Sequence, residues 1–134
     1  MEYKKFQDLS LEEKKEVLKW RNHPEIRKWM VDKKLNINNE IIKFDDIGVI
    51  TIKHFKEYVY LGIFKNPLKH GVGGRIMEFA LKYIFEVLKK SKIIIYVKES
   101  NKQAIHLYEK FGFEKVDSYK NIVKMRNYDT FFNK

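Results

Sequence analysis

The sequence contains no cysteine, which excludes a disulfide framework, a thiol nucleophile and any cysteine-bound metal. Its four histidines, His23, His54, His70 and His106, never fall at a ligand spacing with carboxylates, so no metal site is expected. No apolar run approaches the roughly 18 residues of a membrane span, and Met1-Glu2-Tyr3-Lys4-Lys5 lacks the apolar segment of a secretion signal. A cytoplasmic protein without membrane contact is the expectation. Acid is also in deficit. The 18 Asp and Glu against 28 Lys and Arg leave a net charge of +10, which favours an anionic partner. The basic residues are scattered along the chain without a block of like charge, which argues for a solvated surface and against a nucleic-acid stripe.

What is present is a packed globular composition. The chain has 134 residues, 44% hydrophobic and 15% aromatic, enough for one domain over residues 1–134 with a single core. There is no linker, internal repeat or low-complexity segment. Only six glycines occur, and three of them, Gly71, Gly73 and Gly74, fall within four positions.

Taken in order, Glu2–Phe6 reads as a short first strand. Ser10 and Glu13 form a capping box for a helix to about Arg21, with Leu11, Val17 and Leu18 expected on its buried side. Pro24 suits the first turn of a second short helix, with Ile26, Trp29 and Met30 as its apolar side. Lys33–Asn39 is polar and reads as a loop. Glu40–Phe44 and Ile47–Ile52 read as a hairpin about Asp45-Asp46, Lys53–Lys56 as a connection, and Tyr58–Phe64 as the next strand. A long helix is expected over Gly74–Lys90, because Ile76, Ala80, Tyr83, Ile84, Val87 and Leu88 recur at helical spacing. Ile93–Val97 is an unbroken apolar run, as in a central strand buried on both faces. Ser100 and Gln103 suggest a second capping box, opening a helix from Asn101 to Lys110 that Gly112 ends. Two closing antiparallel strands, Phe113–Tyr119 and Ile122–Tyr128, complete the chain. The last of them is expected to offer an exposed edge for pairing with a second copy.

Leu68-Lys69-His70-Gly71-Val72-Gly73-Gly74-Arg75 lies between a strand and a helix. Glycines there let backbone N–H groups approach a ligand closely, and the helix start points its positive dipole end into the same space. That arrangement is a phosphate cradle or merely a tight connection. Downstream, Asn101-Lys102-Gln103-Ala104-Ile105-His106-Leu107-Tyr108-Glu109-Lys110-Phe111-Gly112-Phe113 resembles the N-x-x-A-x-x-L-Y-x-x-x-G-F signature of the GNAT (Gcn5-related) N-acetyltransferases. In that family a glycine loop lies upstream, between a strand and a long helix, as here. The likeness covers about Tyr58–Tyr128. Trp20-Arg21-Asn22-His23-Pro24 looks like a narrower branch, which acts on the amino groups of nucleotide-linked sugars, as in pseudaminic acid biosynthesis.

The resemblance implies a mixed α/β (α+β) fold, with a central twisted, mostly antiparallel sheet, two splayed parallel strands and flanking helices. It implies an acetyl-CoA-dependent N-acetyltransferase that passes acetyl directly to the primary amine of a small acceptor. Cofactor binding falls to the backbone around Gly62, Ile63 and Phe64, to the loop Lys69, His70, Gly71, Val72, Gly73 and Gly74, and to Asn101 and Ala104. Tyr108 takes the place of the general acid for the departing thiolate. Four departures stand out, of which Pro67, just ahead of the loop, is acceptable at a turn. Leu68 replaces the usual Arg or Gln, leaving Lys69 or Arg75 to supply charge. Tyr96 stands where a catalytic Glu is often found, leaving His54, His106 or a water as base. The segment between Met30 and Glu40 is too short for the helix that usually lines the acceptor side. Arg21 is a candidate acceptor contact or a solvated helix-end arginine. Trp29 and Trp20 are candidates for stacking or for core packing. Acetylation of peptide N-termini or small amines, a catalytically degenerate acyl-CoA-binding module and a nucleic-acid binder are the competing readings.

Overall fold

The computed structural model describes residues 2–32 and 34–128. Seven strands, β1 (Tyr3–Lys5), β2 (Glu40–Phe44), β3 (Gly48–His54), β4 (Tyr58–Lys65), β5 (Lys92–Lys98), β6 (Glu114–Tyr119) and β7 (Ile122–Tyr128), form one sheet in the order β1-β2-β3-β4-β5-β7-β6. Every neighbouring pair is antiparallel except β4 and β5. Four helices flank it: α1 (Leu11–Asn22), α2 (Pro24–Arg27), α3 (Gly73–Lys82) and α4 (Lys102–Lys110). This is the mixed, mostly antiparallel architecture that the resemblance implies.

Strand alternation sorts the apolar side chains onto two faces. On one, Ile42, Phe44, Ile50, Ile52, Leu61, Ile95 and Met125 pack under α3 and α4, which contribute Ile76, Met77, Ala80, Ile84 and Ile105. On the other, Ile41, Val49 and Phe64 meet Leu9, Val17, Trp20 and Ile26 from α1, α2 and the turn before them. Gly48 sits where Ile76 of α3 packs directly on the sheet. A Cβ there would stand 2.4 Å from Ile76 Cδ1 and 2.9 Å from the Phe64 carbonyl oxygen.

The Ser10 capping box is present, with Glu13 N–H donating to Ser10 Oγ at 3.1 Å and Ser10 N–H to Glu13 Oε1 at 3.2 Å. The buried stripe of α1 is Val17, Trp20 and Arg21, whereas Leu11 is 68% exposed and Leu18 lies outward too. Residues 17, 20 and 21 share one side of a 3.6-residue turn, and the large Trp20 ring fixes which side faces the sheet. The long helix after the glycine loop is not uniform. Regular α-geometry stops at Lys82 and Tyr83–Val87 form a π turn, closed by Leu88 N–H on the Tyr83 carbonyl at 2.9 Å. The wider turn lets consecutive Tyr83, Ile84 and Phe85 all face the core.

Four further expectations are corrected. β3 continues through Lys53 and His54, which pair with Tyr60 and Val59, so the connection shrinks to Phe55–Glu57. α4 is capped by Asn101, whose Oδ1 accepts the Ala104 N–H at 3.3 Å, and not by a Ser100–Gln103 box. β7 lies inside the sheet between β5 and β6, so the free edge is β6 and not the closing strand. Nor is β5 covered on both faces along its length, because Tyr96 is 36% exposed.

Candidate active site

β4 and β5 pair only from Tyr58–Leu61 to Lys92–Ile95. Past that point β4 stays with β3, through Gly62↔Thr51 and Phe64↔Val49. β5 stays with β7, through Tyr96↔Lys124 and Lys98↔Ile122. The two parallel strands therefore splay, and the β4 backbone from Gly62 onward loses its β5 partner. Gly62 is required there for packing, since a Cβ would stand 2.4 Å from Thr51 Oγ1. Ile63 and Phe64 turn their side chains into the two cores, so they offer the opening their main chain.

The splay opens into a cleft of about 1360 Å³ that runs from the glycine loop past α4 to α2. Gly71 adopts φ +68° with nothing close to it, a backbone state that glycine takes without strain. α3 starts at Gly73 without a side-chain cap. The N–H groups from His70 to Arg75 have no partner among the described residues, and the first internal bond comes from Ile76 N–H to the Val72 carbonyl at 3.1 Å. Orphan donors at a helix start, in a loop without a covering side chain, fit a diphosphate. Gly73 also lets α4 approach, because a Cβ there would meet Leu107 Cδ2 at 2.9 Å.

Lys69 is differently disposed. Its N–H closes a turn on the Asn66 carbonyl at 3.0 Å and its ammonium pairs with Asp46 at 3.3 Å, so the open donors begin at His70. Leu68 and Arg75 are exposed, and neither lines the cleft. The cation beside the loop is Lys65. Asn66 was not singled out from the sequence, yet it anchors this loop from a buried position. It donates to the Asp46 carbonyl at 2.8 Å and accepts from Leu68 N–H at 3.0 Å. The Asn66-Pro67 pair, a turn-initiating dipeptide, was the available signal.

Tyr108 lines the cleft from α4 with its ring against Phe113, 5.9 Å between centroids. It is 9% exposed and its hydroxyl has no hydrogen-bond partner among the described residues. Burial pushes the phenol up to about 12, so it stays protonated at neutral pH. Asn101 and Ala104 lie along the same wall, with the Asn101 side chain committed to the helix cap. Tyr96 also faces the cleft, and burial, followed by the neighbouring Tyr60 phenol, raises it to about 12. It is a neutral donor and no base. His54 lies outside the cleft and bonds Glu40 at 2.7 Å through Nε2, while His70 and His106 line the cleft from the glycine loop and α4.

At the α2 end of the cleft no helix forms over residues 30–32 and 34–36, and Met30, Val31, Asp32, Lys34, Leu35 and Asn36 line the wall. Arg21 is buried and its guanidinium donates to the Asp32 carbonyl, which ties this segment down while Arg21 still borders the cleft. Burial lowers its pKa and the Asp32 carboxylate opposes that. Trp29 lines the cleft under the Lys28 ammonium, 5.3 Å from the ring centre, whereas Trp20 is in the core. Lys98 bridges the far wall by donating to the Lys28 carbonyl at 2.7 Å. The cleft is lined by Arg21, Lys28, Lys34, Lys53, Lys65 and Lys110 against only Glu25 and Asp32. Among the described residues no cluster of His, Asp and Glu is placed to hold a metal, and no helix is long and apolar enough to cross a membrane.

Comparisons with known proteins bear on the family and the fold. The model of the Acetyltransferase (GNAT) family matches residues 4–113. Acetyltransferase PseH of Campylobacter jejuni is 28% identical over 137 aligned positions, which cover 88% of this chain and 87% of that protein. The crystal structure of C. jejuni PseH in complex with acetyl coenzyme A superposes with a TM-score of 0.78 at 23% identity, covering 96% of this chain and 99% of that one. Spermidine N-acetyltransferase from Vibrio cholerae, in complex with CoA and spermine, gives 0.77 at 15% identity, covering 99% and 98%. At those identities the superpositions speak for the fold.

Proposed function

Since this chain belongs to the GNAT acetyltransferase family, and is an acetyl-CoA-dependent N-acetyltransferase, we propose that it acetylates the primary amine of a small anionic acceptor, a nucleotide-linked aminosugar, in the cytoplasm. The charge of the cleft carries this reading: six cations line it against two carboxylates, and the Glu25–Lys28 pair at 3.0 Å leaves five against one. A polyamine would meet an excess of like charge, whereas phosphates gain from it. The Trp20-Arg21-Asn22-His23-Pro24 segment points to the same branch.

On this reading the N–H groups of His70 to Gly74 hold the CoA diphosphate, with Lys65 beside them. The main chain of Gly62, Ile63 and Phe64, freed by the splay, lies along the pantetheine arm and the thioester carbonyl, with Asn101 and Ala104 opposite. Acetyl-CoA supplies the activated acyl group. The neutral acceptor nitrogen attacks the carbonyl carbon, the C–S bond breaks, and nitrogen loses a proton to water. Tyr108 donates a hydrogen bond to the departing sulfur. Burial raises its pKa to about 12, so the phenol enters the reaction protonated. Tyr108 therefore acts as the proton donor that neutralises the departing thiolate, and it regains its proton from solvent. Arg21 and Trp29 frame the entrance for the acceptor.

The test is an acceptor panel with acetyl-CoA, read as thiol release. A UDP-linked aminosugar is expected to exceed spermidine in kcat/KM by about 100-fold or more, a difference of ~2.7 kcal/mol. Preference for spermidine would contradict the proposal.

A further inference from the structure

Pairing between β4 and β5 ends at Leu61↔Ile95, so Tyr96 is the first residue of β5 at the fork. Ile95 and Val97 pack in the core with Ile76 of α3 and Ile105 of α4. Strand alternation turns Tyr96 to the opposite face, the one that α1 and α2 cover over β2–β4. Its phenol lines the cleft there. Tyr60, on the same face, meets it edge to face with 5.4 Å between ring centres at 87°, a contact that steadies the ring. Tyr108 packs on the other side of the fork, with α3 and α4. A thioester drawn through the fork therefore has one phenol for its sulfur and a second on the face of the α2 wall.

Proton acceptors are scarce on that face. Among the described residues that line the cleft, Glu25, Asp32, His70 and His106 are the groups able to take up a proton near or below neutral pH. Lys28 bonds Glu25 at 3.0 Å and lowers its pKa, which makes it a weaker base. The Asp32 carboxylate lies by the Arg21 guanidinium, and His70 and His106 belong to the glycine loop and α4. Around Tyr96 the register places Lys124 opposite it on β7, Tyr58 and Tyr60 on β4, Lys53 opposite Tyr60 on β3, and Lys98 two residues on. Asp117 of β6 stands across from Lys124, two strand spacings or about 10 Å from Tyr96, and accepts the Ser118 N–H at 2.8 Å. Burial and the Tyr60 phenol keep Tyr96 itself protonated. An ammonium entering here meets an excess of cations, and like charge disfavours its charged form.

We infer that Tyr96, braced by Tyr60, accepts a hydrogen bond from the acceptor N–H and takes no proton from it, so that the site acetylates amines that arrive neutral and selects for those of low basicity. The bond turns the nitrogen lone pair toward the thioester. The N–C bond then forms, the C–S bond breaks with its electron pair on sulfur, Tyr108 protonates the sulfur, and the surplus proton on nitrogen goes to water. Availability sets the selectivity. At pH 7 about one α-amino group in seven is neutral, against about one lysine side chain in 2,500. A sugar amine flanked by electron-withdrawing oxygen substituents belongs with the former. This inference rests on the acetyl-transfer reading above and not on the nucleotide part of the acceptor.

The test is kcat/KM of the full chain from about pH 6 to about pH 9.5 at saturating acetyl-CoA, with a UDP-linked aminosugar, an alanine dipeptide and Nα-acetyl-lysine as probes. For each probe turned over, kcat/KM should rise about tenfold per pH unit and level off only at the pKa that the free amine shows on titration. Near pH 7 the lysine should trail the dipeptide by about 100-fold or more. Tyr96→Glu, which sets a carboxylate base at the fork, should bring the plateau down by about one pH unit or more. Tyr96→Phe should lower kcat/KM about 10-fold and leave the plateau where it was. Both variants should keep the CoA-induced rise in Tm, and the profile of the unmodified protein needs no variant to fold. A plateau at one pH shared by acceptors of different basicity would reveal a protein base and overturn the inference. So would lysine matching the dipeptide, no turnover of any probe up to about pH 9.5, or a Tyr96→Glu profile with its plateau unmoved. If the dipeptide outpaces the UDP-linked aminosugar while the profiles run as described, the acceptor reading fails and this inference stands.

Discussion

Tyr108 combines near-complete burial, a free hydroxyl and a place in the cleft wall, so its replacement separates chemistry from binding. Tyr108→Phe should lower kcat by about 100-fold, while the shift of Tm on adding CoA, which reports binding to the folded state, is unchanged. Full activity in that variant would remove the phenol from the reaction. Gly62 makes a different prediction. A methyl group placed 2.4 Å from Thr51 Oγ1 makes that side chain leave its rotamer or the strands shift, so Gly62→Ala should cost about 1–3 kcal/mol in denaturant unfolding. Adding Thr51→Ala should recover most of it, and equal losses in the single and double variants would show the contact to be slack. At this scale the sequence was legible where a motif concentrates residues, as from Asn101 to Phe113. It was not legible where one side chain has two uses. Lys69 has the charge for a phosphate but spends it on Asp46, and Arg21 borders the cleft while holding the Asp32 carbonyl.

Elements were readable in kind more than in their ends. Periodicity located every strand, and the Ser10 box located the start of α1, because those signals are local. The π turn at Tyr83–Val87 was hidden, since three successive apolar residues read equally as the flank of a broad helical face. The cap of α4 turned on a choice between neighbours, and the structure gives it to Asn101. Asn101→Ala should therefore destabilise by about 1 kcal/mol, as loss of an N-cap does, whereas Ser100→Ala should change little. The reverse ranking in thermal or urea unfolding would restore the Ser100 box. Which strand forms the edge was beyond local reading altogether, because the closing strand inserts between β5 and β6 and only the pairing of distant segments decides that.

Across the whole molecule, buried phenols couple stability to pH. Tyr108 is raised to about 12 and Tyr83, held by burial and by Glu40, is raised as well, against about 10 in an unfolded chain. Above pH 10 the unfolded state gives up these protons and the native state keeps them, so unfolding becomes easier. Stability should hold below pH 10 and fall progressively toward pH 12, with the Tyr108→Phe variant falling less. A flat Tm across that window would contradict the burial of these groups. The fold itself has one break in an otherwise continuous sheet, where β4 and β5 part, and that break faces the uncapped start of α3 and the free hydroxyl of Tyr108. The central claim is that acetyl-CoA lies there, and a crystal structure of the protein with CoA tests it most directly. The account predicts the diphosphate on the N–H groups of His70 to Gly74 and the sulfur within about 3.5 Å of the Tyr108 hydroxyl. A diphosphate bound elsewhere, or a sulfur out of reach of Tyr108, would contradict it.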